Sequence, residues 1–264
     1  MKVCMVLKNK FPTDIRVEKE ARALIDAGHE IYLLSLGKAG MEKVEDVEGI
    51  KVIRIFQKEN VIYRIPDYMS FNFFFDSPLW RQQLQTVVEN YKIELIHIHD
   101  LPLIKTAIPV AKKNDIPLIA DLHENYPEAK RTWREIKKPL INRIEDFITP
   151  IWRWKKLEKS VLQEVTYLVT VVEEAKDHYI NECRVPPEKI KVIMNCEEME
   201  SFKNLIENNN LTAEFENNFV ITYIGGFGTH RGIDTAIKSM PDILKSIPKA
   251  KLLLVGKGVG KNCR

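Results

Sequence analysis

Short apolar runs rich in β-branched residues alternate with helical patterns along most of the chain, and this alternation limits the possible folds more than any other feature. It is typical of a parallel sheet that is covered by helices on both faces. Strands are predicted near Lys2 to Leu7, Glu30 to Leu36, Lys51 to Phe56, Glu94 to His99, Pro117 to Asp121, Tyr167 to Val172 and Lys189 to Met194. The sequence therefore predicts an α/β fold with a doubly wound, Rossmann-like parallel sheet.

Helical segments of crossover length separate these strands. Between the first two strands, one apolar stripe is formed by residues spaced i, i+4, i+7 and i+8, and a glycine closes the helix. These residues are Val17, Ala21, Leu24, Ile25 and Gly28. Further helices are predicted from about Pro78 to Tyr91, from Leu101 to Asn114 and from Pro139 to Gln163. Strand, helix and strand in this order indicate βαβ units.

The pattern breaks in a polar stretch with six asparagines, which is typical of a connection between domains. It then restarts with a strand at Phe219 to Ile224, a glycine-rich turn at Gly225 to Gly232, a helix at Ile233 to Ile247 and a strand at Lys251 to Val255. Two strands and one helix cannot enclose a core. We expect residues 1–196 to form one domain, 197–218 a linker, and 219–264 a partial second Rossmann-like domain.

Composition excludes several other classes of protein. The chain has 264 residues, 45% of them hydrophobic, and its net charge of +3 calls for no polyanionic partner. The apolar run Val3 to Leu7 is too short for a signal peptide, and no run approaches the roughly 20 residues of a membrane span. No cysteine spacing suits a zinc site or a disulfide framework, which favours a reducing cytoplasm. The cysteines are Cys4, Cys183, Cys196 and Cys263.

Polar residues at the carboxyl ends of the predicted strands are the candidates for chemistry, because ligands of open parallel sheets bind in the crevice beyond those ends. They are His97, His99, Asp100, His123, Glu124, Asp14 and Arg16. We interpret His97 as a structural, hydrogen-bonded histidine. His123 and Glu124 suit substrate binding and proton handling. For Asp14, an ordinary helix N-cap is an equally good interpretation.

The turn after the restarted strand indicates a phosphate site. Gly225 and Gly226 expose backbone N–H groups just before a helix, and Arg231 can neutralise a departing diphosphate. The alternative is a simple helix entry with a surface arginine.

Residues 130–159 carry ten basic and four acidic residues together with Trp133, Trp152 and Trp154. Basic residues mixed with tryptophan suit an anionic membrane surface, so peripheral membrane contact is one interpretation. A solvated helix face with tryptophans in the core is the other. Nucleic acid is not expected, since no recognisable RNA or DNA module accompanies the stretch.

Taken in order, a series of short segments resembles the family 4 glycosyltransferases, which have two Rossmann-like domains in the GT-B fold. The resemblance covers nearly the whole chain, and the order and spacing of the segments make it specific. The segments are 12–17, 20–21, 27–30, 97–102, 121–124, 156–158, 170–172, 185–190, 192–195, 223–225, 231–234 and 252–256.

The resemblance implies a retaining transfer of a sugar from a nucleotide-diphosphate sugar to an acceptor held mainly by the first domain, with no metal and no cofactor. No Asp-x-Asp triplet is present. By resemblance, His123 lines the reaction centre with Asp100 and Glu124 as catalytic partners, and Arg231 grips the donor phosphates. The expected substrate-binding residues are Asp14, Arg16, His99, Asn195, Gly225, Gly226 and Arg231.

Two departures from the family pattern affect these expectations. Gly226 stands where many members have an arginine, and the family's donor-binding Glu-x7-Glu element is expected downstream of Gly256, whereas the sequence ends at Arg264. From this we expect a C-terminal truncation and little or no transfer activity.

For the intact enzyme we expect a cell-envelope glycan or a lipid-linked acceptor, at the cytoplasmic face of the membrane. A non-catalytic acceptor-binding or membrane-docking module is the alternative. A sugar-nucleotide epimerase fits the order of motifs less well.

Overall fold

The computed structural model describes residues 1–12, 14–56, 61–136, 147–196, 213, 215–228 and 231–256. The chain divides into two compact units, Met1–Cys196 and Glu197–Arg264. Most of the predicted linker, at 197–212 and 214, lies outside the described residues.

The first unit is built on an eight-stranded sheet. Its strands are β1 (Lys2–Lys10), β2 (Glu30–Leu36), β3 (Val44–Val47), β4 (Ile50–Ile55), β5 (Leu95–His99), β6 (Leu118–Leu122), β7 (Tyr167–Thr170) and β8 (Ile190–Val192). Their order is β3-β4-β2-β1-β5-β6-β7-β8, and every neighbouring pair is parallel except β3 and β4. The predicted α/β class and all seven predicted strands are confirmed; the antiparallel edge strand β3 was not predicted.

Seven α-helices connect the strands in the described part of this unit. They are α1 (Ile15–Asp26), α2 (Val61–Phe74), α3 (Pro78–Tyr91), α4 (Ile104–Asn114), α5 (Tyr126–Ile136), α6 (Ile151–Val161) and α7 (Glu173–Asn181). The prediction of one continuous helix from Pro139 to Gln163 is wrong at Pro150, where the helix is interrupted. Pro150 has an extended backbone and caps α6, because proline lacks the N–H that a continuing helix would use. Residues 137–146 lie outside the description.

Strand β1 is buried on both faces of the sheet and separates two apolar clusters. Met5 and Leu7 pack with Val17 and Ala21 of α1, whereas Cys4 and Val6 belong to the larger cluster on the opposite face. The segment from Val3 to Leu7 is apolar throughout for this reason, and burial decreases from Lys8 onward. Each fully buried aliphatic side chain contributes about 1.5–3 kcal/mol, so the centre of the sheet is firmly fixed.

The second unit contains β9 (Phe219–Ile224), α8 (Ile233–Ser246) and β10 (Ala250–Val255), and its two strands are parallel neighbours. No residue of α8 is buried, and apolar residues of all three elements face solvent. Throughout the described residues, no helix is both long and apolar enough to cross a bilayer.

Candidate active site

Strands β1, β5 and β6 are neighbours, so the segments that follow their carboxyl ends meet at one edge of the sheet. The parallel register places His99 of β5 beside Asp121 of β6. Side chains alternate along a strand, so His97 points to the same face as His99, and the same period relates His123 to Asp121. The result is a group of three imidazoles and one carboxylate at the crevice.

Asp121 is the centre of this group. Its Oδ2 atom lies 3.2 Å from His97 Nε2, 3.5 Å from His99 Nδ1 and 3.6 Å from His123 Nε2. Burial favours the neutral carboxyl, but the hydrogen bonds from His97 and His99 outweigh burial and lower the pKa of Asp121. A buried anion therefore fixes the orientation of the surrounding rings.

Burial keeps the two histidines nearest the crevice uncharged. It lowers the pKa of His99 to about 4, and it lowers the pKa of His123 as well. Their rings are stacked with centroids 5.7 Å apart, and His99 Nδ1 lies 3.4 Å from His123 Nε2. Neutral imidazoles both donate and accept hydrogen bonds, which suits recognition of sugar hydroxyls.

The outer nitrogens of the same two rings remain available. Among the described residues, the buried atoms His99 Nε2 and His123 Nδ1 have no hydrogen-bond partner. Buried polar atoms without a partner are costly, so a ligand or water that hydrogen-bonds there binds at an advantage.

Glu20 reaches the group from α1. Its Oε2 atom lies 3.8 Å from His99 Nδ1. Burial, followed by the charge of Asp121, raises the pKa of Glu20 to about 9. Glu20, His99, Asp121 and His123 each offer an atom within 4.8 Å of the others, which is compatible with a metal ion.

Asp14 and Arg16 form the β1 side of the crevice. The Asp14 carboxylate accepts from the backbone N–H of Arg16 at 3.2 Å, which confirms the N-cap interpretation, and from the Arg16 side chain at 3.1 and 2.9 Å. The hydrogen bonds with Asp14 raise the pKa of Arg16. The positive charge of Arg16 also acts on Asp100 and Glu124.

Asp100 has an unusual backbone and an unusual carboxyl group. Its φ of 64° and ψ of 160° lie in a region that is essentially reserved for glycine, at a cost of about 1–3 kcal/mol. Its N–H donates to the Asp121 carbonyl at 2.8 Å, which helps to hold this conformation. Burial, followed by the charge of Glu124, raises the pKa of Asp100 to about 7. Burial also raises the pKa of Glu124.

The family model for Glycosyltransferase Family 4 matches residues 15–196, which include all of these crevice residues except Asp14. The chain belongs to glycosyltransferase family 4. Sequence comparison of this family 4 chain with curated proteins gives no match.

Solved GT-B glycosyltransferase structures share the fold of this family 4 chain. A sucrose-phosphate synthase from Thermosynechococcus elongatus matches with a TM-score of 0.66 and 14% identity, over 100% of this chain and 64% of that one. The lipopolysaccharide outer core galactosyltransferase WaaB matches with a TM-score of 0.59 and 12% identity, over 98% and 62%. Anabaena HepE in complex with UDP and glucose matches with a TM-score of 0.56 and 13% identity, over 98% and 62%. The chain thus spans less than two thirds of each relative.

Of the residues predicted for the family 4 site, six come together at the crevice: Asp14, Arg16, His99, Asp100, His123 and Glu124. Asn195 is exposed and follows β8, the edge strand two places from β6. Gly225, Gly226 and Arg231 belong to the second unit. There Gly225 donates to the Val255 carbonyl at 2.9 Å, and Arg231 is exposed just before α8.

Three residues of the group were not predicted as site residues. His97, interpreted as structural, is indeed hydrogen-bonded, but to Asp121, which also contacts the crevice histidines. Asp121 precedes His123 by two positions and therefore shares its face, a signal available in the sequence. Glu20 follows Arg16 by one helical turn, which places both on one side of α1.

The tryptophans of the basic stretch in this family 4 chain have different surroundings. Trp152 is 64% exposed, whereas Trp154 is 2% exposed and packs against Phe75 and Tyr126 with ring centroids 4.5 and 4.9 Å away. The interpretation of tryptophans in the core therefore holds for Trp154, whereas Trp152 lies on the surface.

Proposed function

We propose that this chain is part of a retaining glycosyltransferase that transfers a sugar from a nucleotide-diphosphate sugar to a cell-envelope glycan or a lipid-linked acceptor. The observation that carries the proposal is the buried pair of neutral histidines, His99 and His123, at the strand ends, within the segment that matches the family. Two related structures support the substrate classes. HepE is bound to UDP and glucose, and WaaB is described as a lipopolysaccharide galactosyltransferase.

In this proposal, His123 Nδ1 hydrogen-bonds a hydroxyl of the transferred sugar and thereby orients the reacting carbon. Asp100 handles the proton of the acceptor hydroxyl, because a carboxyl group with a pKa of about 7 exchanges protons readily at neutral pH. Glu124 is the second catalytic carboxyl group, and His99, Asp14, Arg16 and Asn195 contribute substrate contacts.

Donor binding is assigned to the second unit. The N–H groups of Gly225 and Gly226, the start of α8 and the charge of Arg231 suit a diphosphate leaving group. Arg231 supplies the positive charge that a metal ion supplies in other transferases, so the proposal needs no cofactor. In the same proposal, residues 1–196 form the acceptor-side domain and residues 197–218 form the linker.

A donor panel tests this function. The chain is incubated with UDP-, GDP- and ADP-sugars and a set of lipid-linked and glycan acceptors, and release of the nucleoside diphosphate is measured. His123→Gln should lower kcat/KM by about 100- to 10,000-fold, which is the usual contribution of a residue that positions or transfers a proton. His29→Gln, outside the crevice, is the matched control. Turnover is expected to be low, so release is followed at high protein concentration, and unchanged turnover in His123→Gln would contradict the proposal.

Membrane docking is the second candidate function, and exposed aromatic residues of two adjoining helices favour it. Arg153 of α6 donates to the carbonyls of Asn72 at 3.0 Å and of Phe73, so the start of α6 lies against the end of α2. Phe74 and Trp152 are exposed there. Aromatic side chains beside basic residues suit the interface of an anionic bilayer at the cytoplasmic face.

Vesicle co-sedimentation tests the docking. Phe74→Ser with Trp152→Ser should weaken binding to phosphatidylglycerol vesicles, while the exposed Tyr167→Ser, on the strand β7, serves as the control. Equal binding of both variants and the parent, or equal binding to neutral vesicles, would exclude this surface.

A further inference from the structure

A second group of buried polar side chains lies in the first unit and shares no residue with the histidines around Asp121. Glu158 of α6, His178 of α7 and Cys183, two residues beyond the end of α7, offer ligand atoms that all lie within 4.8 Å of one another. Nothing in the proposed transfer reaction uses these residues.

The distances in this group agree with those around a zinc ion. His178 Nε2 lies 3.2 Å and Cys183 Sγ 3.6 Å from the same atom, Glu158 Oε2. Around a tetrahedral zinc ion with Zn–N and Zn–O bonds of about 2.05 Å and a Zn–S bond of about 2.3 Å, a nitrogen and an oxygen lie about 3.3 Å apart and a sulfur and an oxygen about 3.6 Å apart.

Within the part of the chain that the structure describes, the hydrogen bonds among Glu158, His178 and Cys183 leave one buried oxygen without a partner. Glu158 is 2% exposed, and among the described residues its Oε1 atom has no hydrogen-bond partner. A bound cation accounts for this orphaned oxygen, which becomes either a further ligand or the acceptor of a hydrogen bond from a metal-bound water.

We propose that Glu158, His178 and Cys183 bind a zinc ion. Sulfur, nitrogen and carboxylate oxygen together select zinc over magnesium or calcium, which prefer oxygen alone. Three protein ligands leave the fourth position open. Asn125 Nδ2 lies 3.4 Å from His178 Nε2, a weak contact that the metal bond replaces.

The metal has a route from solvent and an open space beside it. The three ligands line a cavity of about 680 Å³, and the His178 side chain is 26% exposed. Three lysines and two more glutamates share the lining, and Lys155 is paired with Glu128 at 2.7 Å. Two anionic ligands neutralise the ion, so the single excess positive charge of the remaining lining repels it little.

Cobalt substitution tests the site on the full chain after chelator dialysis. Titration with Co²⁺ should produce a thiolate-to-cobalt charge-transfer band at one equivalent, and Zn²⁺ should displace it. Cys183→Ser should abolish the band. His178→Gln should weaken Zn²⁺ binding by at least about 100-fold, since even residues that only orient a ligand contribute about 10- to 100-fold.

Matched controls separate this site from others. A variant with Cys196→Ser and Cys263→Ser, and the variant His123→Gln, should both keep the band. If Cys183→Ser fails to fold by circular dichroism, the partly exposed His178→Gln decides the question. No band in the parent chain, a band retained in Cys183→Ser, or unchanged Zn²⁺ affinity in a folded His178→Gln would overturn the proposal.

Discussion

Two βαβ units of this chain have the same order of elements but bury their apolar residues to very different extents. In β1–α1–β2, Val17 and Ala21 of the helix are fully buried against the sheet. In β9–α8–β10, no helix residue is buried, and Ile224 is 78% exposed. Both pairs of strands are parallel neighbours, although the register between β1 and β2 shifts after Val6.

The difference shows what each level of structure contributes. Local sequence is sufficient for the strand, the turn and the helix in both units, because apolar periodicity and glycine placement act over a few residues. Burial in the first unit comes from β4 and β5, which extend the sheet on both sides of β1 and β2. Stability and site geometry should therefore differ between the two units.

Leucine-to-alanine substitutions in the two units should change the stability of the first unit to very different extents. This is the largest effect expected. Leu33→Ala, at a fully buried position of β2, should lower the free energy of unfolding by about 2–5 kcal/mol. Leu253→Ala, at a half-buried position of β10, should leave the transition of the first unit unchanged. Urea titration followed by tryptophan fluorescence measures this, since all four tryptophans precede residue 197. Comparable shifts of the urea transition in both variants would contradict this prediction.

The two crossover helices also differ in their ionisable side chains, because Glu20 of α1 is partly buried near Asp121. Glu20 should therefore make the stability of the first unit depend on pH. Its raised pKa of about 9 means that the folded state binds the proton more tightly than the unfolded state, so this contribution is full below about pH 4.5 and falls as pH rises to 9. Between pH 7 and 9, Glu20→Gln should gain stability relative to the parent by up to about 1.4 kcal/mol per pH unit.

Asp234→Asn, at an exposed position in the first turn of α8, is the control for that titration. The difference between variant and parent cancels titrations that both share, such as that of Lys8. A constant difference across pH 7 to 9 would show that Glu20 is not held protonated.

The starts of the two helices give the smallest effect. Asp14 caps α1 through its side chain, so Asp14→Ala should destabilise the first unit by about 1 kcal/mol. Gly232 precedes α8 at φ 72° without a side-chain cap, and Gly232→Asn should cost less than about 0.5 kcal/mol because asparagine tolerates this conformation. Hydrogen exchange of each helix measures both changes. A larger destabilisation by Gly232→Asn than by Asp14→Ala would contradict this prediction.

The parts of the fold that follow from local pattern were predictable. The strands were found because their Val- and Ile-rich runs are short and bounded, whereas β3 was missed because Glu45 and Asp46 interrupt its apolar alternation. The helix predicted from Pro139 to Gln163 runs across Pro150, and this prediction did not allow for the break that a proline causes in a helix.

The site was predictable only where chemistry coincides with strand ends, as for His99 and His123. The contacts that define its electrostatics, from Asp121 and Glu20, depend on strand register and on the docking of α1. The proposed zinc ligands Glu158, His178 and Cys183 come from two helices and a following turn, so cysteine spacing alone cannot reveal them.

The central claim is that a neutral histidine group in the first unit binds the sugar. The most direct test records the ring nitrogen signals of ¹⁵N-labelled histidine, assigned with His99→Gln and His123→Gln, before and after addition of a panel of sugar nucleotides. We predict a neutral ring for His99 at pH 6, a neutral ring for His123 at pH 7.5, and a shift of His123 Nδ1 on binding. Rings that are protonated at these pH values and unaffected by every sugar nucleotide would contradict it.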